Sequence, residues 1–111
     1  MMMTFKELTV QKTRNGFLPI LPLNGKWLED IGFVAPCSVG TTILDACLTL
    51  TLNGGTDLQV ESRMVRKRPR TTLDVNVFLL HKCGLRIGDR VGLTLRYGEI
   101  QIQKIVRYTT H

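Results

Sequence analysis

The densest chemical feature of the chain is Arg63-Met64-Val65-Arg66-Lys67-Arg68-Pro69-Arg70, five cations within eight residues. Holding like charges this close costs free energy unless phosphates or counterions neutralise them. Planar guanidiniums also match phosphate oxygens and base edges. The segment therefore reads as a phosphate-binding element, against the alternative of a solvated turn without a partner. Trp27 is large enough to stack on a base, but its place in an apolar stripe with Leu28 and Ile31 favours burial. Phe17 lies on an expected hairpin tip and is the better stacking candidate, whereas Tyr97 and Tyr108 follow no pattern.

Catalysis finds less support. A metal-independent ribonuclease needs a base near the 2′-hydroxyl, an acid for the leaving oxygen and a cation for the phosphorane charge. His81 and His111 are the two histidines, the residue type whose ordinary pKa lies nearest neutrality. His81 reads as a helix-surface or capping residue, and His111 ends the sequence. The carboxylates Glu29, Asp30, Asp89 and Glu99 form no pair that recurs in both halves, and Asp89 after Gly88 is explained as a turn former. Cys37, Cys47 and Cys83 show neither C-x-x-C nor Cys/His metal spacing and read as small apolar residues in a reducing compartment. No metal or cofactor is expected.

The elements that must position these residues come from an ordinary globular composition, 43% hydrophobic and 22% charged in 111 residues, enough for one modest core. The net charge of +6 favours polyanionic partners, and its distribution is uneven. Residues 1–57 carry four Lys/Arg against five Asp/Glu, whereas residues 58–111 carry eleven against four. The apolar run Phe17 to Leu23 is short and contains Pro19 and Pro22, so no membrane span or signal peptide is read and a cytoplasmic location is expected.

A gap-free offset of 52 residues aligns the two halves, placing Gly32 on Gly84, Val39 on Val91, Gly40 on Gly92, Leu28 on Leu80 and Arg14 on Arg66. Leu8 and Val10 alternate with polar residues, Arg14-Asn15-Gly16 supplies a hairpin turn, and a strand returns through Leu18 to Leu23. Asn24 is positioned to cap a short helix through Trp27, Leu28 and Ile31, which Gly32 ends. Strands follow near Val39–Leu44 and Leu48–Leu52 around an Asp45-Ala46 turn. The second half repeats this order: Leu58–Val65, a turn at Arg66–Arg70, Leu73–Val77, a helical turn from Phe78 to Cys83 ended by Gly84, and strands on either side of Tyr97-Gly98. The expected units are residues 1–53 and 58–111, joined by a linker at 54–57 and sharing one core.

The stretch Leu8-Thr9-Val10, then Leu21-Pro22-Leu23-Asn24-Gly25-Lys26-Trp27-Leu28-Glu29, then Gly32-Phe33, resembles the SymE family of bacterial toxins. SymE-like proteins are similar in turn to the AbrB/SpoVT swapped-hairpin transcription factors. The second half, with Cys83-Gly84-Leu85-Arg86-Ile87-Gly88-Asp89-Arg90-Val91, resembles that wider superfamily. The resemblance implies a mainly β fold with short helices, in which tandem AbrB-like swapped-hairpin units form one small barrel. The chain would be a monomeric pseudo-dimer, or else a homodimer. It also implies DNA or RNA as partner, with Arg63, Arg66, Lys67, Arg68 and Arg70 as contacts, joined by Lys82, Arg86, Arg90 and Arg14. If both hairpin tips line one face, the footprint is asymmetric, because the first has lost most of its charge. The alternatives are a SymE-like endoribonuclease toxin and a module whose basic loop binds an acidic protein. Pro36 stands where SymE-like sequences usually have Gly, and the second unit replaces their polar carboxy-terminal extension.

Overall fold

Alternating apolar residues with turn formers between them give short strands, and a computed structural model, describing residues 4–106, shows these closing into a mainly β protein. The elements are β1 (Thr4–Thr9), β2 (Gln11–Lys12), β3 (Pro19–Asn24), α1 (Lys26–Asp30), β4 (Cys37–Leu44), β5 (Cys47–Leu52), β6 (Leu58–Val65), β7 (Arg68–Val75), α2 (Val77–Lys82), β8 (Arg90–Arg96) and β9 (Glu99–Lys104). The strands form a nearly closed antiparallel barrel in the order β1-β8-β9-β5-β4-β6-β7-β3-β2. Its two ends are linked by the chain itself, because β1 and β2 are one run interrupted at Val10, pairing with β8 before the bend and β3 after it. Strand β6 bends likewise: Leu58–Val60 pair with β4 and Glu61–Val65 with β7. Val10 and Val60 sit at the two bends and both are buried.

One core runs through the barrel from β3 and β7 to the seam of β5 and β9, where Leu48 lies opposite Ile102 and Leu50 opposite Ile100, all four fully buried. Each helix ends in the same six-residue closure. The Phe33 amide donates to the Leu28 carbonyl and the Gly32 amide to that of Glu29, matched by Leu85 to Leu80 and Gly84 to His81. Gly32 and Gly84 hold φ of +93° and +69°, and the apolar pairs Leu28/Phe33 and Leu80/Leu85 are buried. This is the Schellman arrangement that a glycine stop signals.

Several boundaries differ from those read in the sequence. Asn24 does not cap α1: Gly25 occupies the cap without a side-chain bond, and the Asn24 carbonyl accepts from Trp27 Nε1 at 2.9 Å. The side-chain cap is Asn76 on α2, whose Oδ1 accepts from the Leu79 amide at 3.1 Å. The second hairpin turn is Arg66-Lys67 alone, and Arg68–Arg70 belong to β7. The segment after β5 is held rather than loose, for the Asn53 amide donates to the Ser38 carbonyl at 2.9 Å and the Gly54 backbone leaves no room for a Cβ on Gly40.

The ladders also refine the repeat. From β3 onward the 52-residue offset relates matched pairs, such as Thr42 with Thr49 and Thr94 with Gln101. Before the hairpins the spacing is 50, setting Leu8 with Leu58 and Val10 with Val60. The cause is hairpin length. The ladder pair Lys12–Pro19 corresponds to Ser62–Thr71; residues 13–18 connect the first pair and 63–70 the second, two residues more. Arg14 and Arg66 are therefore not ladder equivalents.

Candidate nucleic-acid interface

Those extra residues let the second hairpin continue its ladder outward, with Arg63 opposite Arg70, Met64 opposite Pro69 and Val65 opposite Arg68. No third strand follows it. Strand β3 pairs with β7 only over Thr72–Val75, and β4 reaches β6 only as far as Val60. Every residue from Glu61 to Arg70 is exposed, so the segment is a two-stranded ribbon projecting from the barrel. Arg66 and Lys67 close it with φ of +51° and +67°, the paired left-handed geometry that suits strand twist and normally selects Asn-Gly. Non-glycine residues held there carry a cost of roughly 1–2 kcal/mol each. The Asp45-Ala46 turn has the same geometry, with φ of +51° and +61°.

Strand alternation sets Arg63, Val65, Arg68 and Arg70 on the outer side of the ribbon, while Met64 and Pro69 continue the side that carries Leu73 and Val75 into the core. Arg63 Nη2 lies 2.9 Å from Asp74 Oδ2, so its charge is partly met. Arg66, Lys67, Arg68 and Arg70 have no ion pair among the described residues. An open groove lies against the tip, lined by Val65, Arg66, Arg68, Pro69 and Arg70.

The remaining candidate cations lie elsewhere. Strands β3 and β7 are antiparallel, with Leu21 opposite Val75 and Asn24 opposite Thr72, so the two hairpin tips leave opposite ends of their sheet. Helix α2 follows β7 and packs on β3, which puts exposed Lys82 at the first-hairpin end with exposed Arg14. The Arg86–Asp89 turn docks at the β1–β2 bend, where the Gly88 amide donates to the Val10 carbonyl at 2.8 Å. Arg86 directs its amide to Asp89 Oδ2 at 2.8 Å. Arg90 is already engaged, donating to Glu7 Oε2 at 2.7 Å and Thr9 Oγ1 at 2.8 Å. The nine candidates thus form two groups, Arg63 to Arg70 on the ribbon and Arg14, Lys82, Arg86 and Arg90 away from it. The condition for a joint footprint, both tips on one face, is not met by the β3–β7 ladder.

Residues that carry the SymE resemblance have structural roles. Trp27 is half-buried against the core, and Lys6 Nζ lies 5.3 Å from its ring centroid. Glu29 Oε2 accepts from Thr71 Oγ1 at 3.1 Å, tying α1 to the ribbon's base. Phe33 is fully buried, and a Cβ on Gly32 would meet the Tyr97 ring at 2.9 Å. Phe17 is 89% exposed, as a hairpin tip should be. Phe78, 75% exposed, was missed by sequence reading; the buried spacing Leu79, Leu80 and Cys83 leaves it on the outer face of α2 and is the signal that finds it.

Among the described residues, the groups weighed for catalysis have separate places. His81 is exposed on α2, Asp89 serves its turn and lies 3.6 Å from Lys104 Nζ, and Glu99 opposes Arg96 in the β8–β9 ladder. His111 and Tyr108 lie outside the described residues. Among the described residues no group of three or more His, Cys, Asp or Glu could hold a metal, and no helix is long and apolar enough to cross a membrane. The three cysteines are free thiols; burial pushes Cys37 and Cys83 up from the ordinary value, with the neighbouring Cys47 adding to the rise at Cys83. Comparison with family models, curated proteins and solved structures gave no match.

Proposed function

We propose that this protein binds nucleic acid by gripping phosphates with the β6–β7 ribbon. The observation that carries the reading is the set of four cations without ion-pair partners among the described residues on a projecting, wholly exposed ribbon, two of them held in a left-handed turn that Asn-Gly would adopt with less strain. A two-stranded ribbon is of a size that the major groove of duplex DNA admits. The SymE and AbrB resemblance agrees with this function. The interlaced pairing, β1 with β8 and β6 with β4, is what tandem swapped hairpins would produce in a single chain acting as its own dimer in a reducing cytoplasm.

The test is fluorescence anisotropy with duplex DNA and structured RNA across a salt series. Replacing Arg66, Lys67, Arg68 and Arg70 by Gln should flatten the salt slope by up to about 0.9 per lost phosphate contact on duplex DNA. An unchanged slope removes the ribbon from the interface. Gel analysis of the recovered RNA separates binding from degradation: cleavage abolished by His81→Ala would replace the binding reading with the endoribonuclease one. Sedimentation at low concentration should return the mass of one chain.

A further inference from the structure

The end of the β3–β7 sheet opposite the ribbon has its own surface chemistry. Phe17 and Phe78, two of the chain's four phenylalanines, stand 89% and 75% exposed, with Leu18 at 52%. The register brings them to one end. Pro19 begins β3 and Val75, opposite Leu21, closes β7 two positions short of the level of Pro19, so the residues before β3 and those opening α2 leave the same end of the sheet, and α2 packs on β3. Scattered exposed apolar residues are normal, but two protruding aromatic rings at one end of a small barrel are not accounted for by its packing.

The two stretches that meet here are cationic. No Asp or Glu occurs between Glu7 and Glu29, or between Asp74 and Asp89, while beyond Lys82 the β4–β5 turn brings Asp45 into a groove with Cys83 and Lys104. Lys12, Arg14 and Lys82 are exposed there and have no ion pair among the described residues. Protruding rings among cations form the pattern by which single strands are held: bases stack on aromatic faces while the backbone follows positive charge. A purely apolar partner would leave those cations unmatched.

We propose that this end is a second nucleic-acid site, one that takes unpaired bases, with Phe17 and Phe78 stacking on bases of a single strand and Lys12, Arg14 and Lys82 meeting its phosphates. The choice of ligand rests on the nucleic-acid reading of the ribbon, although the residues are different. The two ends would then divide the work: phosphates at the ribbon, exposed base faces at the first hairpin.

The experiment compares a fluorescein-labelled oligothymidylate with an abasic strand of the same length, titrated into the full chain and into the variant with Arg66, Lys67, Arg68 and Arg70 changed to Gln. Both proteins should prefer the thymidylate, by roughly five- to a hundredfold for each stacked base. Phe17→Ser with Phe78→Ser should erase that preference and leave the salt slope unchanged. Arg14→Gln with Lys82→Gln should keep the preference and lower the slope by about 0.7 per contact on a single strand. Equal binding of the two strands, or a preference that survives loss of both rings, overturns the assignment. Duplex binding through the ribbon without a base preference would sink this inference alone, whereas no binding to any nucleic acid would sink the ribbon reading with it. Capture by anionic phospholipid vesicles that depends on Phe17 and Phe78, without a base preference, would identify a lipid surface instead.

Discussion

The two hairpins begin from matching ladder pairs, Lys12–Pro19 and Ser62–Thr71, and share a core below them, yet they end in opposite chemistries. Six residues at the first form a loop that offers Phe17 and Leu18; eight at the second form a ribbon that offers four unpaired cations. Below the tips the halves agree closely. Val10 and Val60, Leu21 and Leu73, and Phe33 and Leu85 are buried at corresponding places. The contrast shows where this fold constrains sequence: positions facing the common core stay apolar, while residues beyond the last shared ladder pair contribute little to packing and are free to differ.

The largest test of that contrast lies in the core. Phe33→Ala should cost about 3–5 kcal/mol and Leu85→Ala about 2–5 kcal/mol, each seen in chemical denaturation as one cooperative transition moving as a whole. Two separable transitions would mean that the halves do not share a core. Next come the helix-stop glycines. Gly84→Ala introduces a Cβ into open space at φ +69° and should cost about 1–2 kcal/mol. Gly32→Ala should cost more, because its Cβ also meets Tyr97, and Tyr97→Ala should shrink the difference in a double-mutant cycle.

The helix caps give a smaller separation. Asn76→Ala should lower stability by about 1 kcal/mol, while Asn24→Ala, which removes no cap, should stay within about 0.5 kcal/mol. The smallest effect compares the two left-handed turns. Lys67→Gly and Ala46→Gly should each relieve strain for a net gain of no more than about 1 kcal/mol, after the greater chain entropy of glycine is counted. Only Lys67→Gly should also weaken binding to duplex DNA in anisotropy. If both leave binding alone, the strained cation has no part in recognition.

Much of this was legible in the chain because local chemistry specified it. Leu48, Leu50, Ile100 and Ile102 alternate as half-buried strands must, Gly32 and Gly84 stop their helices, and Asp45-Ala46 and Tyr97-Gly98 turn where expected. The basic hairpin was legible for the same reason. What escaped depends on contacts distant in sequence. Asn24 has a cap residue's identity, but the Trp27 indole takes its carbonyl and Gly25 takes its place. Arg63 and Arg90 read as available cations until Asp74 and Glu7 are brought beside them. The division of the candidates between two ends follows from the antiparallel sense of β3 and β7, which no residue type encodes.

That antiparallel ladder has a consequence for the length of any ligand. Tips that leave opposite ends of a rigid sheet are kept apart at a separation that side-chain motion cannot close, in a molecule about 48 Å along its longest axis. If both ends bind nucleic acid as proposed, a strand too short to pass around the barrel would engage one end and be held with that end's affinity alone. One long enough to reach both would gain the second contact as an intramolecular event, at an effective concentration set by the slack between them. The barrel would then act as a ruler, and affinity would rise in a step with ligand length instead of in proportion to it.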